Sequence, residues 1–346
     1  MKIIFKIIKA NSGSDVYFER LSRGLNNLGL ETKIVYFNKW FQFLPFLVPF
    51  FDKDHEEADI IHSNLEYGWV FKRKDIPLVL TAHHNVIDGG YQKFTSLIQK
   101  LFHYLILKPN IKKSLKTADK IIAVSNFTKI SFVKTFKISK KIEVIYNGID
   151  LDVFKPLKVK KYNQDKKFHL IFVGNLIKRK GADLLPKIMK KLGDKYVLHY
   201  TSGLRTKPPK RFNLDNMIPL GKLSLKDLVK EYNKCDALLF PTRLEGFGYA
   251  AVEAMACGKT VITTNCSSLP ELIMDQKNGF LCKLGNIDDF VEKIEYLTKN
   301  KKLIINMGIK NRKMVVNLFS VNKWIDQFIK IYNNYVYSRN SRQNNN

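Results

Sequence analysis

The sequence has few cysteines, no long apolar run and a shortage of acidic residues. The four cysteines are Cys235, Cys257, Cys266 and Cys282. They form no C-x-x-C pair and have no histidines close by in sequence, which argues against a zinc site and against a disulfide framework. No run of about 18 apolar residues occurs, and the N-terminal apolar stretch is short and lacks a small-residue cleavage site. We therefore expect four reduced thiols in a cytoplasmic protein with neither a membrane span nor a signal peptide.

Basic residues outnumber acidic ones by 59 to 31, which gives a formal net charge of +28. Such a charge attracts nucleic acid, anionic lipid or phosphorylated ligands. A lysine-rich source genome is the alternative explanation. No RNA-recognition aromatic motif, KH loop or basic-helix signature accompanies the charge, so we expect no nucleic acid partner. A basic nucleic-acid-binding protein is nevertheless the alternative function.

Apolar runs rich in Val, Ile and Leu alternate with amphipathic segments along the 346 residues. This alternation predicts an α/β fold with parallel sheets that are covered on both faces. Ten or more strands favour two doubly wound domains over one very wide sheet. The basic stretch 158–167 lacks periodicity and is predicted to be a linker, and residues 339–346 are predicted to be a disordered tail.

Residues 245–258 read EGFGYAAVEAMACG and follow a predicted strand, DALLFPT. We predict a helix that begins near Tyr249 or Ala250 and is closed by Gly258. The motif then lies at the carboxyl end of a strand, where doubly wound sheets bind ligands. Gly246 and Gly248 let the backbone approach a ligand closely, and the helix N-terminus favours phosphate.

Two glutamates, Glu245 and Glu253, stand on either side of this anion site. Carboxylates repel a phosphate, so they are better explained as acceptors for neutral hydroxyl groups. A sugar nucleotide has that layout, with Glu245 holding the hexose and Glu253 the ribose. The alternative is that Glu253 is a solvated helix residue and Glu245 an acid at a helix N-terminus.

With this motif, written PTRLEGFGYAAVEAMACGKTVITTN, the sequence resembles the family-4 group of retaining glycosyltransferases. The stretches PLVLTAHH, ADKIIAVSNFTK and IYNGIDLDVFKP extend the resemblance over nearly the whole chain. The resemblance implies a GT-B fold, in which two Rossmann-like domains face each other across a cleft. It implies an acceptor-side domain over 1–155, a nucleotide-sugar domain over 156–319, and a C-terminal helix over about 320–338 that crosses back to the N-domain.

The resemblance also implies which residues form the site. In FVGNLIKRKGADLL, Lys180 matches the lysine that neutralises the departing diphosphate, while Asn175 stands where an arginine is usual. Either Lys178 or Arg179 compensates, or the diphosphate is held more weakly. The implied catalytic residues are Glu245, Lys180 and His83, and the implied donor-binding residues are Gly13, Ser14, Asn175, Arg179, Gly221, Gly246, Phe247, Gly248, Tyr249, Ala250 and Glu253. The alternative for Lys180 is an exposed loop lysine, and the alternative for Ser14 is a helix cap. For His83 the alternative is a polar residue whose hydrogen bonds are made within the protein.

The function that the resemblance implies is retaining hexosyl transfer, without a cofactor, from a UDP- or GDP-sugar to a hydroxyl of a glycan or lipid-linked acceptor. The resemblance places this transfer reaction in the synthesis of cell-envelope polysaccharide or glycolipid. No Asp-x-Asp motif stands at a candidate site, so we expect Lys180 and the helix terminus to replace a metal. Both glutamates belong to one turn-and-helix unit, which favours transfer over hydrolysis. A catalytically inactive scaffold, with Asn175 marking a lost site, is a further alternative.

Residues 37–51 are crowded with aromatic side chains, and residues 91–116 resemble a basic amphipathic helix. The lysines of the second stretch are Lys93, Lys100, Lys108, Lys112, Lys113 and Lys116. These two stretches predict a peripheral protein on an anionic surface, the inner face of the cytoplasmic membrane. Ordinary core packing beneath a solvated basic face is the alternative.

Overall fold

The computed structural model describes residues 1–9, 13–53, 58–159, 162, 166–202 and 208–343, with the backbone alone for 211 and 338–343. The chain divides into two compact units, Met1–Gly148 with Val321–Asn346, and Ile149–Ser320. The predicted linker 158–167 lies partly outside the described residues.

The first unit is built on six parallel strands in the order β2-β1-β3-β4-β5-β6. These are β1 (Lys2–Ile8), β2 (Glu31–Phe37), β3 (Ile60–Asn64), β4 (Leu78–Ala82), β5 (Lys120–Ala123) and β6 (Ile142–Val144). The three central strands β1, β3 and β4 are almost entirely buried, because helices cover both faces of the sheet.

The helices of this part of the chain are α1 (Gly13–Asn27), α2 (Val48–Phe51), α3 (Gly89–Gln92), α4 (Leu97–Phe102), α5 (Lys108–Thr117) and α6 (Asn126–Phe136). A π-helical turn, His103–Leu107, joins α4 to α5, and short 3₁₀ turns occupy Lys39–Gln42, Pro45–Leu47 and Gly68–Phe71. One face of the sheet carries a core that includes Ile61, Leu80 and Phe132.

The second unit repeats the architecture with the strand order β12-β11-β10-β7-β8-β9, again all parallel. Its strands are β7 (Phe168–Phe172), β8 (Tyr196–Thr201), β9 (Met217–Gly221), β10 (Ala237–Phe240), β11 (Thr260–Thr264) and β12 (Gly279–Cys282). Its helices are α7 (Leu185–Leu192), α8 (Leu225–Lys234), α9 (Tyr249–Ala256), α10 (Leu269–Leu272), α11 (Ile287–Lys299) and α12 (Lys301–Leu318). The predicted pair of parallel, doubly wound domains is confirmed.

The last helix, α13 (Val321–Gln343), packs on the first unit, as predicted. Trp324 and Phe328 are buried against Tyr17 of α1, with ring centroids 5.0 and 6.5 Å from that of Tyr17. Gly24 permits this approach, since a Cβ there would lie 2.1 Å from Cδ1 of Ile325. The sequence predicts order only to about residue 338, whereas the helical backbone continues to Gln343.

Candidate functional site

The site is built around the loop that joins β10 to α9. The strand is fully buried and ends at Phe240, and α9 begins at Tyr249, as predicted. Gly248 caps the helix with φ 104°, and Gly258 follows its end with φ 70°, both in the left-handed region that favours glycine. The motif therefore places a short loop and a helix N-terminus at the carboxyl edge of the sheet.

Glu245 lies inside this loop with only 4% of its surface exposed. Its Oε1 accepts hydrogen bonds from Nζ of Lys180 at 2.6 Å and from Oγ1 of Thr242 at 2.9 Å. The ammonium of Lys180 and the hydroxyl of Thr242 therefore help to hold the carboxylate in place. No motif in the sequence singles out Thr242 as a partner of Glu245.

Lys180 reaches Glu245 from the segment that follows β7. It ends a 3₁₀ turn, Lys178–Lys180, and Gly181 comes next with φ 72°. A Cβ at Gly181 would lie 1.8 Å from the carbonyl oxygen of Pro241, so only glycine lets this segment touch the β10 loop. Burial lowers the pKa of Lys180, and the charge of Glu245 opposes that shift.

Arg179 and Arg243 connect the segment that follows β7 to the loop that follows β10. The guanidinium of Arg179 donates to the carbonyl of Leu244 at 2.8 Å, and the backbone N–H of Arg243 donates to the carbonyl of Arg179 at 2.8 Å. Arg243 also forms a bidentate ion pair with Asp183, at 2.6 and 2.8 Å. Lys178 is exposed, and Asn175 is half-buried beyond the end of β7.

Glu253 lies one turn into α9 and is 7% exposed. The hydroxyl of Tyr232, on α8, lies 3.2 Å from its Oε2 and 3.3 Å from the carbonyl oxygen of Ala250. The carboxylate is therefore buried rather than solvated. Tyr232 gives no signal in the sequence that connects it with Glu253.

In the second unit the structure thus gathers Lys180, Arg179, Glu245 and the loop 246–250 at the adjacent ends of β7 and β10. Gly221 is separate from this group. It ends β9, the edge strand of the sheet, with φ 66°.

Three predicted residues belong to the first unit. Gly13 and Ser14 open α1, and residues 10–12 of their loop lie outside the described residues. His83 follows β4, and its ring packs edge-on against Tyr17 with centroids 4.6 Å apart. Its buried Nε2 has no hydrogen-bond partner in the described part of the chain, and burial lowers the pKa of His83 to about 3.

His62 differs from His83 in having both ring nitrogens bonded. They lie 2.7 Å from the hydroxyl of Tyr332 and 2.7 Å from Oγ1 of Thr81. The His62 ring is thus bonded entirely within the first unit.

Among the described residues, no group of three or more His, Cys, Asp or Glu side chains could hold a metal ion. No helix in this described part of the chain is both long and apolar enough to cross a membrane.

Two protein families match the chain. The family described as glycosyl transferases group 1 matches residues 154–314, and glycosyltransferase family 4 matches residues 34–153. An uncharacterized glycosyltransferase of Methanocaldococcus jannaschii is 31% identical over 296 residues, which cover 81% of this chain and 76% of that protein. The O-antigen biosynthesis glycosyltransferase WclY of Escherichia coli is 30% identical over 82% of this chain and 81% of its own length.

A lipid-linked substrate appears in the name of a third relative. It is the N,N'-diacetylbacillosaminyl-diphospho-undecaprenol alpha-1,3-N-acetylgalactosaminyltransferase of Campylobacter jejuni, which is 28% identical over 71% of this chain and 66% of that protein.

Solved structures show the same fold. Sucrose-phosphate synthase from Thermosynechococcus elongatus superposes with a TM-score of 0.84 at 17% identity, over 98% of this chain and 100% of that one. HepE of Anabaena, solved with UDP-glucose, gives a TM-score of 0.78 at 18% identity, over 96% of this chain and 100% of that one.

Proposed function

This chain belongs to the family of group 1 glycosyl transferases and is a hexosyltransferase with the GT-B fold, and from that premise we propose its donor, acceptor and mechanism. The donor is a nucleotide-diphosphate sugar of the UDP or GDP type. The acceptor is a hydroxyl of a glycan or lipid-linked glycan of the cell envelope. Transfer retains the anomeric configuration and needs no metal ion.

The contact between Lys180 and Glu245 is the observation that carries the proposal. An ammonium beside the N-terminus of α9 supplies positive charge for a diphosphate, in addition to the backbone amides of residues 246–250. An ammonium has three donors, so its contact with Glu245 leaves capacity for phosphate oxygens. HepE, which has the same fold, is solved with UDP-glucose, which supports a nucleotide sugar as the donor.

The two glutamates bind the hydroxyl groups on either side of the diphosphate. Glu245 accepts from the hexose and Glu253 from the ribose. The contacts from Lys180, Thr242 and Tyr232 hold the two carboxylates in place, and a carboxylate oxygen can accept more than one hydrogen bond, including one from a sugar hydroxyl. Because protein contacts fix both carboxylates, they need little reorganisation when the sugar binds.

In the reaction, the acceptor hydroxyl attacks the anomeric carbon from the face that the diphosphate leaves. The bond from that carbon to the phosphate oxygen breaks as the new glycosidic bond forms, and the hydroxyl proton passes to the leaving oxygen. Lys180 and the α9 amides stabilise the negative charge that develops on this oxygen. The protein therefore supplies charge and orientation rather than a strong acid.

His83 acts as a neutral hydrogen-bonding group near the transferring sugar. With a pKa lowered to about 3, the imidazole carries no charge at neutral pH. Its Nε2, which has no hydrogen-bond partner among the described residues, is the atom that we assign to a sugar hydroxyl. Gly13 and Ser14, at the start of α1, stay proposed donor-binding residues.

An anionic membrane surface is the proposed partner of the first unit. Residues 37–51 and 91–116 both expose large apolar side chains that the core does not take up. They are Trp40, Phe43, Leu44, Phe46, Phe50, Phe51, Leu97, Ile98, Leu101, Tyr104 and Leu105. The two segments touch through Phe43 and Phe102, whose ring centroids are 5.4 Å apart.

Lysines accompany this apolar surface. Lys93, Lys112 and Lys116 are exposed in the same segment, and each lysine near an anionic bilayer contributes about 1 kcal/mol of attraction. The names of the Escherichia coli and Campylobacter jejuni relatives, O-antigen biosynthesis and a diphospho-undecaprenol substrate, support an acceptor at a membrane. We therefore propose peripheral binding at the inner face of the cytoplasmic membrane.

The experiment that tests this function measures release of UDP, GDP or ADP from a panel of sugar nucleotides in the presence of glycan and lipid-linked glycan acceptors, with and without EDTA. We expect release from a UDP- or GDP-hexose that is unaffected by EDTA. Release from none of the panel would contradict the donor assignment. Loss of activity in EDTA that manganese restores would contradict metal independence alone.

A further inference from the structure

A tight turn, Cys266–Leu269, lies against the loop that carries Glu245. The N–H of Leu269 donates to the carbonyl of Cys266 at 3.2 Å and closes the turn. Ser267 has φ 50°, while Ser268 has φ −78° and ψ −8°. These signs of φ are those of a type II′ turn, whose first central position is dominated by Gly, Asn and Asp. A serine is therefore unusual at this position of the turn, and the hydrogen bond made by its side chain accounts for it.

Ser267 holds the first peptide group of the loop. Its Oγ accepts a hydrogen bond from the N–H of Glu245 at 2.9 Å. The N–H and C=O of a trans peptide point in opposite directions, so the carbonyl of Leu244 points away from Ser267. Arg179 donates to that carbonyl at 2.8 Å. The peptide plane that leads into Glu245 is thus held at both ends.

Ser268 orients the next peptide groups. Its buried Oγ lies 3.2 Å from the carbonyl oxygen of Glu245 and 2.9 Å from that of Phe247. Both carbonyls therefore face Ser268, and the N–H groups of Gly246 and Gly248 face the opposite side of the loop. Those are two of the amides that the proposed function assigns to the diphosphate.

We propose that Ser267 and Ser268 are positioning residues for the donor site, which set the direction of the Glu245–Gly248 peptide groups through their hydroxyls. The inference rests on the proposed function. Ser267 keeps its left-handed backbone because glycine, which fits that conformation more easily, offers no acceptor for the N–H of Glu245. The strained backbone at Ser267 is thus tolerated because its hydroxyl fixes the orientation of the loop.

Three substitutions at Ser267 separate the hydrogen bond from the strain. Ser267→Ala removes the acceptor and keeps the strain, Ser267→Gly removes both, and Ser267→Asn keeps an acceptor on a residue that tolerates positive φ. We expect Ala and Gly to lower kcat for nucleotide release about 10-fold with donor KM changed less than about 3-fold, as a small misplacement of reacting groups does. Ser267→Asn is expected to restore kcat to within about 3-fold of the native value.

Amide hydrogen exchange of the Glu245 N–H gives a readout that does not depend on activity. We expect exchange about 10-fold faster in Ser267→Ala, corresponding to one lost hydrogen bond, and close to native in Ser267→Asn. Ser268→Ala is expected to lower kcat in the same way. Thr263→Val is the matched control, since it removes another buried hydroxyl that donates to a backbone carbonyl, that of Phe240 at 2.7 Å, and leaves the loop untouched.

Unchanged exchange and unchanged kcat in Ser267→Ala would overturn the inference. So would equal losses of kcat in Thr263→Val and Ser268→Ala, because they would show a general effect of stability. A native protein that releases no nucleotide from any donor contradicts the proposed function instead, and the exchange measurement then still decides whether Ser267 holds the loop.

Discussion

Nζ of Lys180 lies 2.6 Å from Oε1 of Glu245, although the two residues follow different strands and are 65 positions apart. The contact exists because β7 and β10 are neighbours in a parallel sheet, so their carboxyl ends meet at one edge. Gly181 then lets the lysine segment touch the β10 loop at Pro241. The result is a cation and a carboxylate at the N-terminus of α9, held by the protein before any ligand arrives.

Glu245→Gln is expected to remove transfer while the fold is retained. The glutamine has the size of the glutamate but lacks the charged acceptor for the hexose, and loss of one preorganised electrostatic contact costs about 10²- to 10³-fold in kcat. Nucleotide release and circular dichroism measure the two effects. Native rates in this variant would remove Glu245 from the mechanism.

The same variant has a predicted pH signature. The charge of Glu245 raises the pKa of Lys180 against the larger lowering by burial, so its removal lowers that pKa further. Lys180 must carry its proton to bind a diphosphate, and UDP binding is lost as pH rises through its pKa. We expect the alkaline loss of UDP binding to shift to lower pH in Glu245→Gln, measured by titration calorimetry between about pH 7 and 10. If UDP binding is lost at the same or a higher pH in Glu245→Gln than in the native protein, the pairing of Glu245 with Lys180 is contradicted.

Gly181→Ala is expected to lower both stability and activity. The new Cβ would meet the carbonyl of Pro241, and overpacking of this kind costs about 1–3 kcal/mol in addition to about 1 kcal/mol for the left-handed backbone. Gly285→Ala is the matched control, because Gly285 has φ 74° but open space around its Cβ position. Urea unfolding measures the difference, and equal losses in the two variants would show that the contact with Pro241 is unimportant.

Acid should destabilise the protein through His83. Its folded pKa of about 3 lies below the unfolded value of about 6.5, so the unfolded state binds more protons between these values. Stability is therefore fully present above about pH 6.5 and is lost as pH falls, by at most about 1.4 kcal/mol per pH unit for one histidine. Urea unfolding of His83→Asn at pH 8 and pH 5 should show a smaller acid loss than the native protein. An identical loss would contradict the buried neutral state.

Removal of exposed apolar side chains from α4 should weaken membrane binding. Leu97 and Ile98 are each 82% exposed, and burial of apolar groups in a bilayer contributes about 0.8 kcal/mol per CH₂. We expect Leu97→Ser with Ile98→Ser to lower binding to phosphatidylglycerol vesicles more than 10-fold, roughly the effect of losing two to three buried CH₂ groups, as measured by sedimentation at low salt.

The matched control for this experiment is Ile305→Ser with Ile309→Ser, a similarly exposed apolar pair on α12 of the second unit. Binding to phosphatidylcholine vesicles should be weaker than to phosphatidylglycerol for the native protein. Equal effects of the two double variants, or no binding of the native protein, would exclude the proposed surface.

Periodicity in the sequence was sufficient to predict the strands, the division into two doubly wound domains and the start of α9. These features depend on local patterns in the sequence. A short apolar run predicts a buried strand in either domain, and Gly248 and Gly258 mark the two ends of one helix. The apolar side of α13 likewise indicates that this helix covers another surface of the protein. In the structure that surface includes α1, where Tyr17 packs against Trp324.

The partners of the site residues could not be predicted from the sequence. Thr242 precedes Glu245 by three residues in the same loop, but the sequence does not show that its hydroxyl bonds the carboxylate. Tyr232 and Ser267 reach Glu253 and Glu245 from other elements, which the order of strands in the sheet brings together. A serine beside a second serine gives no indication that the backbone of Ser267 is left-handed. The need for glycine at 181 depends on the position of one carbonyl oxygen, which no pattern of residues specifies.

Titration calorimetry of UDP and GDP against the native protein and Lys180→Met shows whether a diphosphate binds at Lys180, with Lys178→Met as the control for an exposed neighbouring charge. We expect the native protein to bind one of the two nucleotides and Lys180→Met to weaken this binding about 10- to 100-fold, which corresponds to loss of a hydrogen bond to a charged group. Lys178→Met should bind nearly as well as the native protein. Absence of heat with either nucleotide, or native affinity in Lys180→Met, would contradict a diphosphate site at Lys180 and the start of α9.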